Sequence, residues 1–292
     1  MRNSISALVA RNNPSMIVLK MKKSASRRFF LLYLPCLIYF SPSFQSALAI
    51  DQSCTSQHYD ESATIQYIHD GDTVKLLDGR KIRLIGINAP EIAHDEHMDE
   101  AFALPARDFL RTLLSKHDNR IKLVYGHETQ DHYQRTLAHL FLPDGTNIQA
   151  QLLASGLVNA ITIPPNDRFS NCYQLIEKQA FCEKKGLWSG QILKVADLKD
   201  SVTGFRLLKA KLISMQTSNK GLWLILEHGL SLRIATPNQA LFNMQKLQSM
   251  IGQVVVVRGW LQNKKYPKAG ERFYMEIKHP SAIDEEKIAL KC

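Results

Sequence analysis

The chain predicts an α+β fold made of two β-barrels with helices, the second smaller than the first. Three observations carry this expectation. Short segments with alternating apolar residues are separated by Asp- and Gly-containing turns, a helical stretch falls between the third and fourth of them, and the same order returns in residues 203–292.

In residues 63–69, Ala63, Ile65 and Tyr67 alternate as on a half-buried strand, and Asp70-Gly71 then marks a turn. Residues 73–77 read as the return strand, Asp78-Gly79 as a second tight turn, and 80–87 as a third strand. After a polar loop, Pro105 suits the first residue of a helix, with Phe109, Leu110, Leu113 and Leu114 forming its apolar face. Residues 121–125 and 136–142 supply the fourth and fifth strands. Five strands with a helix between the third and fourth is the order of the OB barrel. Helices are expected near 147–155 and 170–185, with Trp188 packed beneath them.

Residues 191–202 form a polar connector without strong periodicity, and a domain boundary is expected there. Beyond it, strands are expected at 205–216, 221–228 and 230–235, a helix from Pro237 through Ser249, and strands at 254–262 and 272–277. This is a second, OB-like barrel. Its Trp223, Trp260 and Tyr274 are expected in the core rather than on a contact surface, as aromatic strand residues usually are.

Residues 1–49 differ in kind. Lys20, Lys22, Lys23, Arg27 and Arg28 precede an apolar run from Phe29 to Phe40, and Ala47-Leu48-Ala49 offers small residues for cleavage. That is the pattern of a secretory signal peptide, with Met21 the more natural start. Cleavage after Ala49 would leave no membrane span and place the protein in the periplasm or outside the cell; an uncleaved signal would anchor it to the inner membrane. The segment holds seven of the 37 Lys/Arg and none of the 27 acidic residues, so the formal charge of +10 falls to about +3 without it. Overall basicity is therefore weak support for a nucleic-acid partner. Of the five cysteines, Cys36 goes with the leader, leaving Cys54, Cys172, Cys182 and Cys292. An even count in an exported chain predicts disulfides. Cys172 and Cys182 share one expected helix, roughly 15 Å apart, so they cannot bond each other. Two bridges then tie Cys54 and Cys292 to that helix, in either order.

The chemistry concentrates at strand ends. Asp72, Arg83, Asn88 and Glu91 fall where the first three strands begin and end, and a second arginine lies in Asp131-His132-Tyr133-Gln134-Arg135. Oxygen donors beside arginines suit a hard cation and a phosphate, because the planar guanidinium binds two phosphate oxygens and stays charged. The histidines show no i, i+4 pair and the cysteines no zinc-type spacing.

The run DGDTV…IRLIGINAPE…DxYxRTLA, followed by Gly186-Leu187-Trp188-Ser189, closely resembles the thermonuclease family of staphylococcal-nuclease-like domains over roughly residues 63–190. The resemblance implies an OB-fold nuclease that hydrolyses DNA or RNA, or both, to 3′-phosphates and uses Ca²⁺; the chain is expected to be a monomer. It implies that Arg83 and Arg135 bind phosphate, that Glu91 positions or deprotonates the attacking water, and that Asp72, Asn88 and the Ala89 carbonyl bind calcium. Asp70 becomes a nearby acid and Tyr133 a phosphate- or base-contacting phenol. Three positions depart from the family. Asn88 stands where Asp is common, which removes one negative charge from the cation site. Gln134 stands where glycine is common, which matters if the loop needs positive φ. Ala160-Ile161-Thr162-Ile163-Pro164-Pro165 lacks the tyrosines some relatives carry after Gly156-Leu157.

The alternative is a non-catalytic nucleic-acid-binding module of the same fold, which would not need Arg83, Glu91 and Arg135 intact. In the second barrel, Arg206, Lys209, Lys211, Arg233 and Arg258, with the cluster Lys264, Lys265, Lys268 and Arg272 around Tyr266, are expected to help hold nucleic acid.

Overall fold

The computed structural model describes residues 54–93, 98–190, 192–264 and 270–292. The expected signal peptide, residues 1–49, lies outside the described residues, as do His94, His97, Lys265, Tyr266 and Lys268. Among the described residues no helix is long and apolar enough to cross a membrane.

The first half runs β1 (Glu61–Ile68), β2 (Thr73–Leu76), β3 (Lys81–Leu84), a short β4 (Ile87–Asn88), α1 (Ala103–Ser115), β5 (Arg120–Gln130), β6 (Thr136–Phe141), α2 (Ile148–Ala154), β7 (Asn159–Ala160) and α3 (Ser170–Cys182). Strands β1-β2-β3-β6-β5 close into a barrel. Within it β3 and β6 pair in parallel, because α1 and β5 carry the chain back between them. Val74, Leu76, Ile82, Leu84, Leu123 and Leu140 fill the interior at the expected alternation. Helix α1 buries Ala103, Ala106, Leu110 and Leu114, one stripe at helical spacing. It starts two residues before Pro105, and Phe109 and Leu113 sit only half-buried at the edge of that stripe.

The expected third strand, 80–87, is in fact two. Gly86 has φ +85°, and a Cβ there would lie 2.5 Å from the Tyr173 ring, so the chain turns out of the barrel at this point. Strand β4 then pairs with β7 instead, Ile87 opposite Ala160 and Asn88 opposite Asn159. Trp188 is buried against Phe181, edge to face. Helix α3 carries Cys172 and Cys182 near its two ends, and the pairing is Cys54–Cys172 and Cys182–Cys292, with Cα separations of 5.7 and 5.5 Å.

His139 is packed between the barrel wall and α3, 2% exposed, edge-on to Phe169 and with Nδ1 2.9 Å from the Tyr173 hydroxyl. Burial pushes its pKa down to about 3, and the charge of Arg168 adds to the effect. Above an ordinary histidine pKa of 6.5 neither the folded nor the unfolded chain is protonated there, so the contribution to stability is complete. As pH falls from 6.5 towards about 3, the unfolded chain takes up a proton that the folded one refuses. Stability should drop by up to about 1.4 kcal/mol per pH unit in that window. Urea unfolding at about pH 7, 5 and 4 should show a shallower loss for His139→Gln than for the wild type. Parallel losses would mean another group drives acid unfolding.

The second half comprises β8 (Leu193–Lys194), β9 (Gly204–Ser218), β10 (Gly221–Leu226), β11 (Leu230–Ile234), α4 (Met244–Ser249), β12 (Val254–Asn263), β13 (Phe273–Glu276), β14 (Ile283–Glu285) and α5 (Glu286–Ala289). Its sheet runs β9-β10-β11-β13-β12 and closes through β12 on β9, with β11 and β13 parallel. The strand order of the first barrel is thus repeated, with α4 at the position of α1.

Three features of this half differ from expectation. The connector is not merely polar, since β8 adds a parallel strand to β9 and both Val195 and Leu198 enter the second core. The helix expected from Pro237 is split into a 3-10 turn, Thr236–Leu241, and α4. The strand aromatics lie outside the core. Alternation along β12 buries Val255, Val257 and Leu261, which leaves Trp260 42% exposed against Phe205, while Trp223 and Tyr274 pair half-buried on the outer surface.

Candidate active site

The turn from β1 to β2 must pass under helix α1, and Gly71 makes that possible. A Cβ at Gly71 would sit 2.7 Å from the Ala106 Cβ and 2.8 Å from the Ala89 Cβ, closer than side chains tolerate. With no side chain there, Asp72 is delivered into the barrel wall, 4% exposed. Its Oδ1 accepts from the Thr73 hydroxyl at 3.0 Å, and its Oδ2 accepts from the Ala89 amide at 2.7 Å. The same Oδ2 lies 3.0 Å from Arg83 Nη2.

Arg83 lies on β3 between the inward-facing Ile82 and Leu84, so its side chain leaves the opposite face. Its Nη1 donates to the carbonyls of Leu84 at 2.6 Å and Ile87 at 2.9 Å, closing the turn that contains Gly86. Its Nη2 reaches Asn88 Oδ1 at 3.4 Å, and Asn88 Nδ2 donates to the Ala89 carbonyl at 3.2 Å. Asp72, Arg83, Asn88 and Ala89, expected together from the sequence, therefore form one connected group.

Asp70 and Glu91 complete it electrostatically. Asp70 has its pKa raised to about 7 by burial first and then by the charge of Asp72, although its Oδ1 accepts the Asp72 amide at 2.8 Å. Glu91 is also raised above the ordinary glutamate range, by desolvation on its protein side and then by Asp72, while Arg83 and Arg135 both pull it down. The Asp72 charge raises both of its neighbours, and its oxygens with those of Asn88 and Ala89 form an all-oxygen donor set suited to a hard cation. Among the described residues no three His, Cys, Asp or Glu side chains form a ready-made metal site. A cation here would therefore depend on Asn88 and the Ala89 carbonyl beside Asp72.

The second arginine arrives from the β5–β6 hairpin. Asp131 accepts from the amides of Tyr133 and Arg135, both at 2.9 Å, and from Arg135 Nε at 2.7 Å. Burial works against its charge, yet these bonds hold its carboxyl below the usual range. Gln134, which stands where the family commonly has glycine, does adopt left-handed backbone, φ 62°. The loop keeps its course with glutamine there, at a cost of roughly 1–2 kcal/mol relative to glycine. The Arg135 guanidinium lies 5.3 Å from the centre of the Tyr133 ring, and Tyr133 is 69% exposed.

Residues 81–190 match the family model described as staphylococcal nuclease homologue. The thermonuclease of Staphylococcus intermedius is 30% identical over 131 residues, 44% of this chain and 76% of that protein. The thermonuclease of Staphylococcus hyicus is 32% identical over 124 residues, 41% of this chain and 71% of that protein. The chain belongs to the staphylococcal nuclease family. A larger relative, endonuclease YhcR of Bacillus subtilis (strain 168), is 31% identical over 136 residues, 43% of this chain but 11% of its own length. As a nuclease of this family the protein is a hydrolase of phosphodiester bonds.

Two residues that hold members of this candidate site carry no expectation from the sequence. Asp131 orients Arg135, and its place four residues ahead in a hairpin loop was a usable signal. Glu100, which accepts the Glu91 amide at 3.1 Å, gave none, because nine residues separate them.

Among the described residues, six of the basic residues expected on the second barrel are paired with carboxylates. Arg206 pairs with Glu100, Lys209 with Glu286, Arg233 with Glu276 and Arg258 with Glu177. In the expected cluster, Lys264 pairs with Glu271 and Arg272 with Asp200. Cations already bound to carboxylates bring little net charge to a phosphate backbone, so these six residues add little to such a contact.

Proposed function

We propose that the protein is an exported, calcium-dependent endonuclease acting on DNA and RNA and leaving 3′-phosphate ends. The observation that carries this reading is that Arg83 and Arg135 both lie near enough to Glu91 to lower its pKa, with Arg83 also paired to the buried Asp72 at 3.0 Å and Arg135 oriented by Asp131. Asp72, Asn88 Oδ1 and the Ala89 carbonyl would hold Ca²⁺, which when bound supplies positive charge beside the phosphate. Arg83 and Arg135 bind the phosphate oxygens whose charge grows as water attacks. Glu91 orients that water and accepts its proton; its raised pKa makes it a better base than an ordinary carboxylate. Tyr133, exposed beside Arg135, offers its ring to a base or its hydroxyl to a phosphate. Export is supported by the basic and apolar pattern of residues 1–49 and by the two disulfides.

Cleavage of single- and double-stranded DNA and RNA should cease in chelator and return with calcium. Asn88→Asp adds a carboxylate and should lower the calcium needed for half activity. Glu91→Gln and Arg135→Ala should each lose on the order of 10²–10³ in rate while the protein stays folded. Full activity in chelator would end the calcium reading. Near wild-type turnover in both variants would favour the non-catalytic binding module.

A further inference from the structure

Glu91 stands beyond the barrel strands, on a loop whose base is closed by Glu100. The Glu91 amide donates to Glu100 Oε2 at 3.1 Å, and the Glu100 amide donates back to the Glu91 carbonyl at 3.0 Å. A second rung joins the Ala93 amide to Asp99 Oδ1 at 2.8 Å. The other carboxylate oxygen of Glu100, Oε1, accepts from Arg206 Nη1 at 2.9 Å, and that arginine belongs to β9 of the second barrel. Arg206 is held in turn by the Phe205 carbonyl, 2.7 Å from the same nitrogen.

A neighbouring contact grips the other side of the site. Arg258 Nη1, on β12, donates to the Ala160 carbonyl at 3.0 Å and to Glu177 Oε2 at 2.6 Å. Glu177 Oε1 accepts the Ala160 amide at 2.7 Å, and Ala160 pairs with Ile87, next to Asn88. Gly259, the residue after Arg258, pairs with Arg206 across the β9–β12 ladder, so the two arginines come from adjoining positions of that ladder.

We propose that the second barrel positions the catalytic carboxylate, Arg206 acting through Glu100 to fix the loop that presents Glu91. The proposal rests on the reading of Glu91 as the water-activating group. One carboxylate serves both partners: with Arg206 bound, Glu100 is held in the orientation that receives the Glu91 amide. Without Arg206, Glu100 turns towards solvent and the Glu91 amide loses its acceptor. Catalysis is sensitive to such losses, since a displacement of about 1 Å can cost on the order of 10²-fold in rate. A partly exposed ion pair of this kind adds little to stability, so positioning and stability are separable here. This also gives the second barrel a role that needs no phosphate contact.

The test uses the full chain with a single-stranded DNA oligonucleotide and calcium. Arg206→Ala should lower kcat roughly 10-fold, with KM and Tm close to wild type, and Arg206→Lys should recover part of the loss. Glu100→Ala should lose at least as much, and the double variant no more than Glu100→Ala alone, because both act through one contact. Hydrogen exchange at the Glu91 amide should quicken in Arg206→Ala, while amides of β1 to β3 stay protected. Unchanged kcat in Arg206→Ala, losses that multiply in the double variant, or a fall in kcat that tracks Tm would each overturn the proposal. The underlying reading fails separately: Glu91→Gln with full turnover removes Glu91 from the chemistry, whereas an inactive Glu91→Gln beside a fully active Arg206→Ala removes only the positioning role.

Discussion

Arg83→Ala is expected to lose both activity and stability, whereas Arg135→Ala is expected to lose activity almost alone. The difference comes from what each guanidinium leaves behind. Arg83 has a side chain 13% exposed, and its partner Asp72 is 6% exposed. Removing the arginine strands a buried carboxylate and takes donors from the carbonyls of Leu84 and Ile87. Breaking a buried pair from one side costs about 3–5 kcal/mol. In a chain of this size that lowers Tm on the order of 10 °C. Arg135 is twice as exposed at 27%, and Asp131 keeps the amides of Tyr133 and Arg135 after the side chain is cut. Its loss should cost about 1 kcal/mol or less. Both variants should lose on the order of 10²–10³ in rate, because each removes a charged donor from the phosphate. Thermal melts beside single-turnover rates would check the contrast. Equal melting temperatures for the two variants would show that Arg83 is not an internal brace.

The two disulfides are expected to be unequal in accessibility but similar in what they hold. Cys54–Cys172 spans 118 residues and Cys182–Cys292 spans 110. Constraining an unfolded chain over about 100 residues contributes roughly 4.7 kcal/mol in the chain-entropy description, and losing such a bridge typically costs about 2–5 kcal/mol. Cys54 and Cys172 are buried in the first core at 4% and 2% exposure, whereas Cys182 is half-buried and Cys292 exposed. Mild reductant should therefore open Cys182–Cys292 first. That bond ties the end of α3 to the tail beyond α5, beside the contact of Lys178 Nζ with the Ala289 carbonyl. Its loss should loosen the second barrel before the first, with two thiols appearing ahead of the other two and a lower-temperature unfolding step ahead of the main one. Simultaneous release of four thiols, or a single unchanged transition after two appear, would count against this order.

Much of the architecture was legible because it depends on local periodicity. Alternation in 63–69 and 73–77, the apolar stripe of α1 and the helix between the third and fourth strands are properties of short segments, and both barrels arise from them. The cysteines were legible to the point where geometry took over. Helix length excludes a Cys172–Cys182 bond, but the choice between the two remaining pairings depends on where Cys54 and Cys292 come to rest. The split of the third strand was not legible, since it arises from Tyr173 occupying the space a side chain at position 86 would need. The outward placement of Trp260 was not legible either: apolar residues on both faces of β12 mask its alternation.

By itself the sequence determined the two barrel strand orders, the pair of arginines, the acid–amide group of Asp72 and Asn88, and the number of disulfides. These depend on residue type and spacing along one chain, which local sterics and the hydrophobic period translate directly into strands, turns and helices. Tertiary structure alone decided that Glu100 links Glu91 to Arg206, and that Lys209, Arg233 and Arg258 of the second barrel meet Glu286, Glu276 and Glu177. Those pairings join residues up to 106 positions apart. Whether a charge is free for a ligand depends on which opposite charge folding brings to it, and no local pattern records that.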